Sequence, residues 1–296
     1  MSAQDAQAEP EAPAPPDDVI ARPLVLAPGT LELRLALAVN IQQRAITEPT
    51  ALSPDAWWGV LPRLTIGLTH SDASLDQIAT SGSFCVKRST STCEHLYQGS
   101  AIDVRFSALE GPFALAPRLR AVIRNLDPFK PAVMLGALLR WTHGRYAITG
   151  DPSLRVPLAN ASLGNYTEIN LPVWLAVQPA AGWMIAARGG YESDLNVIRD
   201  GGHVPFAIDV TARATPSVDV RLEAGWASLL GPLHDARHAT IMLGVGWHGA
   251  PRQPTASVIV ACRASCSGPS RLAQPASRLM STLGVARAAT SIANGT

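Results

Sequence analysis

From Thr30 to Ile41 apolar and polar residues alternate. Leu31, Leu33, Leu35, Leu37, Val39 and Ile41 fall on one face of an extended chain, and Thr30, Glu32, Arg34, Ala36, Ala38 and Asn40 on the other. A period of two is the signature of a strand with one apolar side, whereas a helix would scatter these leucines around its axis. The pattern recurs. Ile102, Val104 and Phe106 oppose Asp103 and Arg105, and Leu115, Leu119 and Ile123 oppose Arg118, Arg120 and Arg124. Ile169 to Val177 oppose Glu168 and Asn170, Phe206 to Val210 oppose Asp209 and Arg213, Val220 and Leu222 oppose Asp219, Arg221 and Glu223, and Ile241 to Trp247 oppose Thr240 and two glycines. These runs predict about twelve strands, near 30–41, 54–60, 64–70, 98–108, 113–123, 132–141, 145–149, 166–178, 183–191, 203–213, 218–228 and 237–248.

Connections between the runs alternate in length. Short ones fall at Leu61-Pro62-Arg63, Glu110-Gly111-Pro112, Thr142-His143-Gly144, Ala180-Ala181-Gly182 and Thr215-Pro216-Ser217; longer, polar ones fall near 42–53, 72–97, 124–131, 150–165, 192–202 and 230–236. Tight turns at one rim and long loops at the other, with an even strand number, define an all-β fold: a transmembrane antiparallel up-and-down β-barrel. Aromatic residues follow the rims. Trp58, Phe106, Phe113, Trp141, Tyr146, Trp183 and Trp247 lie by the short turns or the last strand end, and Tyr166, Tyr191, Phe206 and Trp226 by the long loops. Two such belts are expected where amphipathic rings sit at membrane interfaces.

Composition agrees with that picture. Only 16% of the 296 residues are charged, against a usual quarter or so, and no apolar run reaches the roughly 18 residues of a helical span. A net charge of +1 offers nothing for nucleic acid. Residues 1–28 are Pro/Ala-rich and expected to be flexible, and Met1 to Asp18 holds no apolar stretch of the kind a secretory signal carries. The barrel is expected over 29–248, followed by a tail, 249–296, of unassigned structure. The cysteines fall in two close pairs, Cys85/Cys93 and Cys262/Cys266. A bridge between Cys85 and Cys93 suits an oxidising compartment, with two free thiols as the alternative.

The chain resembles Gram-negative outer-membrane β-barrels. The stretch Trp57-Trp58-Gly59-Val60-Leu61-Pro62-Arg63-Leu64-Thr65-Ile66-Gly67-Leu68 is similar to a strand–turn–strand of uncharacterised transporter-like barrels, and Ala239 to Trp247 resembles the terminal strand read by the barrel-assembly machinery. The resemblance implies an outer-membrane location, with membrane lipid and that machinery as partners and small solutes as cargo. It departs at the end, where family members stop at the aromatic and 49 residues follow Trp247 here.

Once a barrel is accepted, charged positions must turn inward, because a charge against lipid costs roughly 2–4 kcal/mol at mid-depth. Alternation then lines the lumen with ten arginines (Arg34, Arg105, Arg118, Arg120, Arg124, Arg140, Arg145, Arg188, Arg213, Arg221) and six acids (Glu32, Asp103, Glu168, Asp209, Asp219, Glu223). Either cross-lumen ion pairs plug the barrel, or the surplus of arginine makes a narrow path favouring anions. The leading expectation is a passive channel or facilitator for small solutes; the alternatives are a non-conducting structural or surface-interaction barrel and a soluble β-rich protein. Enzymatic chemistry is not expected, since no GxSxG occurs and no His–Ser pair aligns on the outward faces. Gly244 to Gly249 matches GxGxxG, but no helix follows it, and small inward residues explain it better than a nucleotide. His234 and His238 flank Asp235 at ligand-like spacing, with solvated loop histidines as the plain reading. No cofactor or metal is expected.

Overall fold

Every strand in the computed structural model is antiparallel to its neighbours, and the first strand pairs with the last. The structure describes residues 18–41, 50–71, 84–87, 97, 99–195, 202–229 and 237–249. The strands are β1 (Leu31–Asn40), β2 (Thr50–Leu61), β3 (Leu64–Thr69), β4 (Phe84–Lys87), β5 (Ser100–Phe106), β6 (Phe113–Leu126), β7 (Phe129–His143), β8 (Tyr146–Gly150), β9 (Ser153–Pro157), β10 (Glu168–Ala180), β11 (Trp183–Asp194), β12 (Gly202–Thr215), β13 (Val218–Leu229) and β14 (Arg237–Gly249). β8 and β9 share one place in the wall between β7 and β10, and β4 lies off the closed path, so the barrel has twelve wall positions. β1 closes it, pairing with β14 from Leu31↔Gly249 to Asn40↔Thr240 and with β2 on its other side.

The outer face is apolar. Leu33, Leu35, Ile102, Leu119, Leu175, Ile208, Leu222 and Leu243 are all exposed, while the residues between them are mostly buried and polar or small. This inverts the pattern of a soluble protein and is the pattern of a barrel wall facing lipid. A girdle of exposed rings (Trp58, Phe106, Phe113, Trp141, Tyr146, Trp183, Trp247) marks the short-turn rim, with Phe113 directly opposite Trp141. At the other rim Phe206 and Trp226 face each other across β12 and β13 with ring centroids 5.1 Å apart. Both ends of the barrel, Leu31 and Gly249, lie at the short-turn rim.

Five expected loops contain strand, the 192–202 connection only at its two ends, where β11 runs to Asp194 and β12 starts at Gly202. β6 and β7 run on to Leu126 and Phe129, leaving only Asp127-Pro128 as a turn where a long connection over 124–131 was expected. Their tips carry Arg124, Asn125 and Lys130. Beyond the apolar band a strand is free to be polar on both faces, and the period of two disappears there. β9 lies inside the expected connection 150–165: Asp151-Pro152 interrupts pairing, and the ladder resumes at Ser153 against β7 and β10. β4 lies inside 72–97 and pairs with the outer end of β2. β2 itself starts at Thr50, and so includes Pro54. The Pro54 carbonyl turns towards His70, the side on which β3 has ended, so its missing N–H costs no ladder bond. Cys85 is fully buried on β4; Cys93, Cys262, Cys266 and the tail from residue 250 lie outside the described residues.

Leu33→Arg or Leu243→Arg should therefore block assembly, each placing a guanidinium against lipid at roughly 2–4 kcal/mol, whereas Arg34→Leu on the opposite face should be milder. Heat-modifiable migration on a gel reports the outcome; equal tolerance on the two faces would overturn the assignment.

Candidate functional site: the inner wall and the segment across its mouth

Alternation places residues two apart on the same face, and the register places cross-strand partners beside them. The inner wall uses both. Asp103 lies opposite Arg120, and Arg105 opposite Arg118, so β5 and β6 present one carboxylate among three guanidiniums. Asp103 is fully buried: Arg118 Nε donates to its Oδ1 at 2.7 Å, and Arg118 Nη2 and Arg105 Nε donate to its Oδ2 at 2.9 and 2.8 Å. Trp57 Nε1 adds a fourth bond at 3.0 Å, and its ring lies between the guanidiniums of Arg34 and Arg105, at 5.0 and 4.9 Å from its centroid. Arg118 Nη1 reaches Asp151 at 2.5 Å. Arg120 is the outlier: it is buried, its Nε is 3.6 Å from Asp103, and that nitrogen has no hydrogen-bond acceptor.

A second cluster lies on β11 to β13. Arg188 Nη2 donates to Glu223 at 2.7 Å, reaching past Ala207 of the intervening strand, and Arg221 bonds both Glu223, at 2.6 Å, and Asp209. Arg155 pairs with Glu168 directly across β9 and β10. Arg34 pairs with Glu32 on its own strand at 2.5 Å, half exposed. These ion pairs join neighbours along the wall, and none of them spans the axis.

What spans the mouth is residues 18–30. The expectation of a flexible segment over 1–28 is corrected for residues 18–28, which pack against the inner wall at the short-turn end. Val19, Ile20 and Val25 are buried. Ile20 N donates to Gln178 Oε1 at 3.3 Å, and Gln178 returns a bond to Asp18 at 2.8 Å. Arg22 clamps Asp219 with both terminal nitrogens, one at 2.9 Å to Oδ1, and lies 3.1 Å from His248 Nε2, which is itself 2.8 Å from Asp219. Arg140 donates to the Arg22 carbonyl, and Leu26 N donates to Thr65 Oγ1 at 2.8 Å. Gly29 N donates to the Gly59 carbonyl at 2.8 Å, and Gly59 N to the Thr30 carbonyl at 2.9 Å. A Cβ at Gly59 would come within 2.0 Å of the Ala27 carbonyl oxygen, so this close approach needs glycine. The anchors sit on β2, β3, β7, β10, β13 and β14, on both sides of the mouth.

The remaining expected residues separate. Arg213 lies near Asp219, its Nε 4.0 Å from the carboxylate. Arg124 is half-buried beyond the last regular β6–β7 pair. Arg145 is corrected from an inward position: it is exposed in the turn before β8, where it donates to the Pro179 carbonyl at 3.3 Å. Sequence reasoning missed Arg22, Asp55, Trp57, Asp151, Arg155, Glu192 and His248. Arg155 and Asp151 sit in alternation too brief to recognise, and Arg22 in none. Gly244 and Gly246 face inward beside Arg221 and Asp219, and His234 and the side chain of His238 lie outside the described residues.

A closed ladder, an apolar exterior and a charged interior leave one reading of the fold. The chain folds as a closed antiparallel β-barrel of the membrane-spanning kind. No protein-family profile and no curated protein matches it. Solved structures similar to it include a NanC porin, at 9% identity over 73% of this chain and 98% of that one with a TM-score of 0.49. A KdgM porin in complex with disordered oligogalacturonate aligns at 6% identity over 74% and 98% with a TM-score of 0.47. An outer-membrane channel from Pseudomonas putida F1 aligns at 10% identity over 76% and 97% with a TM-score of 0.46. None of these likenesses bears on solute or mechanism.

Removing one member of a buried cluster strands the others. Asp103→Ala, which removes the carboxylate that three guanidiniums share and leaves only Arg118 with another, Asp151, should cost about 3–5 kcal/mol of stability. Glu32→Ala/Arg34→Ala, which removes both members of a pair whose arginine is half exposed, should cost about 0–1 kcal/mol. Chemical unfolding in detergent measures both, and equal losses would show that Asp103 is not organising its neighbours.

Proposed function

We propose that this barrel is a narrow, passive channel or facilitator for small polar solutes across the outer membrane. The observation that carries the proposal is that inner-wall charges pair with near neighbours in the wall, an arrangement that lines a path with polar groups without bridging it. The segment at the mouth favours a second reading, a non-conducting structural barrel, and the two differ in whether current flows.

The expected ten-to-six excess of arginine shrinks from four to two, because Asp55, Asp151 and Glu192 join the inner face and Arg145 leaves it, while Arg155 and Arg22 join the arginines. The excess that persists is local, where Arg105, Arg118 and Arg120 share Asp103. A positive collar within low-dielectric walls favours anions, so small anionic solutes are the preferred cargo in this reading.

Reconstituted protein in a planar bilayer should show anion-selective conductance, weakened by salt. The selectivity should fall in Arg120→Gln, which disturbs the wall least, and fall further in Arg118→Glu/Arg120→Glu. Absence of conductance at any salt would favour the structural barrel, and cation selectivity would refute the collar.

We further propose that Cys85 and Cys93 are bridged at the outer rim. In the chain-entropy account so short a loop gains roughly 2–3 kcal/mol. Unreduced peptides should contain the pair joined, and alkylation of both thiols in exported protein would exclude it.

A further inference from the structure

We propose that residues 18–30 are a hinged gate over the periplasmic mouth, latched by Arg22 on Asp219; this rests on the channel reading above. Three features of one segment carry the proposal. The first is the hinge. Gly29 adopts φ +76° in open space, with nothing within 4 Å of where its Cβ would be, immediately before the wall begins at Leu31. Its backbone bonds to Gly59 tether the root of the segment while leaving the rest outside any ladder.

The second is the latch. Arg22 reaches from the segment to a carboxylate on the wall with both terminal nitrogens. Asp219 also faces His248 at 2.8 Å and Arg213 at 4.0 Å, and Glu32 lies 3.9 Å from His248. Release of Arg22 therefore leaves Asp219 with other partners, so opening does not strand the carboxylate. Arg140 grips carbonyls of the segment and has no acid to lose. The other holds among the described residues are the Gln178 bond to the Asp18 carboxylate, the neutral bonds of Ile20 N and Leu26 N, and the buried side chains of Val19, Ile20 and Val25.

The third is room. A cavity of about 380 Å³ runs along the segment's flank, between Ala21, Pro23, Leu24 and Val25 on one side and the β5–β6 turn with Ala114 and Thr142 on the other. A permanently fitted plug would pack against that wall at interior density. This segment is held at points along its length but left unpacked along the flank that faces the cavity, which gives it somewhere to move.

The test uses the full chain reconstituted in lipid, with two readouts: steady-state conductance, and the rate at which Val25→Cys reacts with a polyethylene-glycol maleimide, assigned by peptide mass to separate it from the native cysteines. Asp219→Asn should shift the closed-to-open balance by roughly tenfold, since a charge-assisted contact is lost, raising both conductance and labelling. Arg22→Gln, which alters no wall residue, should do the same, and serves if Asp219→Asn fails the heat-modifiability check. Faster labelling with unchanged conductance in a conducting protein would show that the segment moves without gating, and no change in either would show that Arg22 is not the latch; each overturns the proposal. Absence of current in all variants and in a chain lacking residues 18–30, with labelling still accelerated, would defeat the channel reading itself and the gate with it.

Discussion

The constraint on which everything else in this molecule depends is that no backbone N–H or C=O can be left facing hydrocarbon. A chain without a long apolar helix meets it only by closing a sheet on itself, and the pairing of β1 with both β14 and β2 is that closure. Closure then decides the side chains. One face of every strand meets lipid and must be apolar; the other meets an enclosed space that can be polar, and all the charges this chain carries at membrane depth have to go there.

That same enclosure explains the form of the ion pairs. In a low-dielectric wall an isolated guanidinium is far costlier than at a surface, so most of the wall's arginines are placed within reach of a carboxylate, while Arg140 donates to backbone carbonyls instead. Alternation supplies partners two residues away, as with Glu32 and Arg34 or Arg221 and Glu223. Register supplies them on the next strand, as with Arg155 and Glu168. These are short-range solutions, and they keep the charges against the wall. The exception is Arg22, which comes from outside the sheet and brings backbone with it.

Much of this was legible in the sequence, and the reasons for the rest are specific. The faces of β1, β5, β10 and β13 could be read because lipid imposes a period of two wherever a strand lies at membrane depth. Beyond the apolar band that pressure ends, so the tips of β6 and β7 looked like loop although they are paired. At Asp151-Pro152 the strand breaks for two residues and resumes for five, too few to signal β9 or to place Arg155. The segment over 18–30 has no period at all. Its inward position depends on Gly59 and Asp219, distant residues whose role is visible only once the wall is built. The arginine surplus was overcounted for the same reason, since the carboxylates that balance it come from an interruption and a strand end.

The seam has a consequence for how such a molecule comes to exist. Leu31 and Gly249 pair although more than 200 residues separate them, and bringing such distant ends together costs about 5 kcal/mol in loop-closure entropy, before any of the seam's own bonds reward it. Until that step, two long bare edges lie open, each able to pair with a stranger. Such long-range pairing is intrinsically slow, and the chain is most exposed just before the seam closes, so the two edges must stay clear of other chains until they meet.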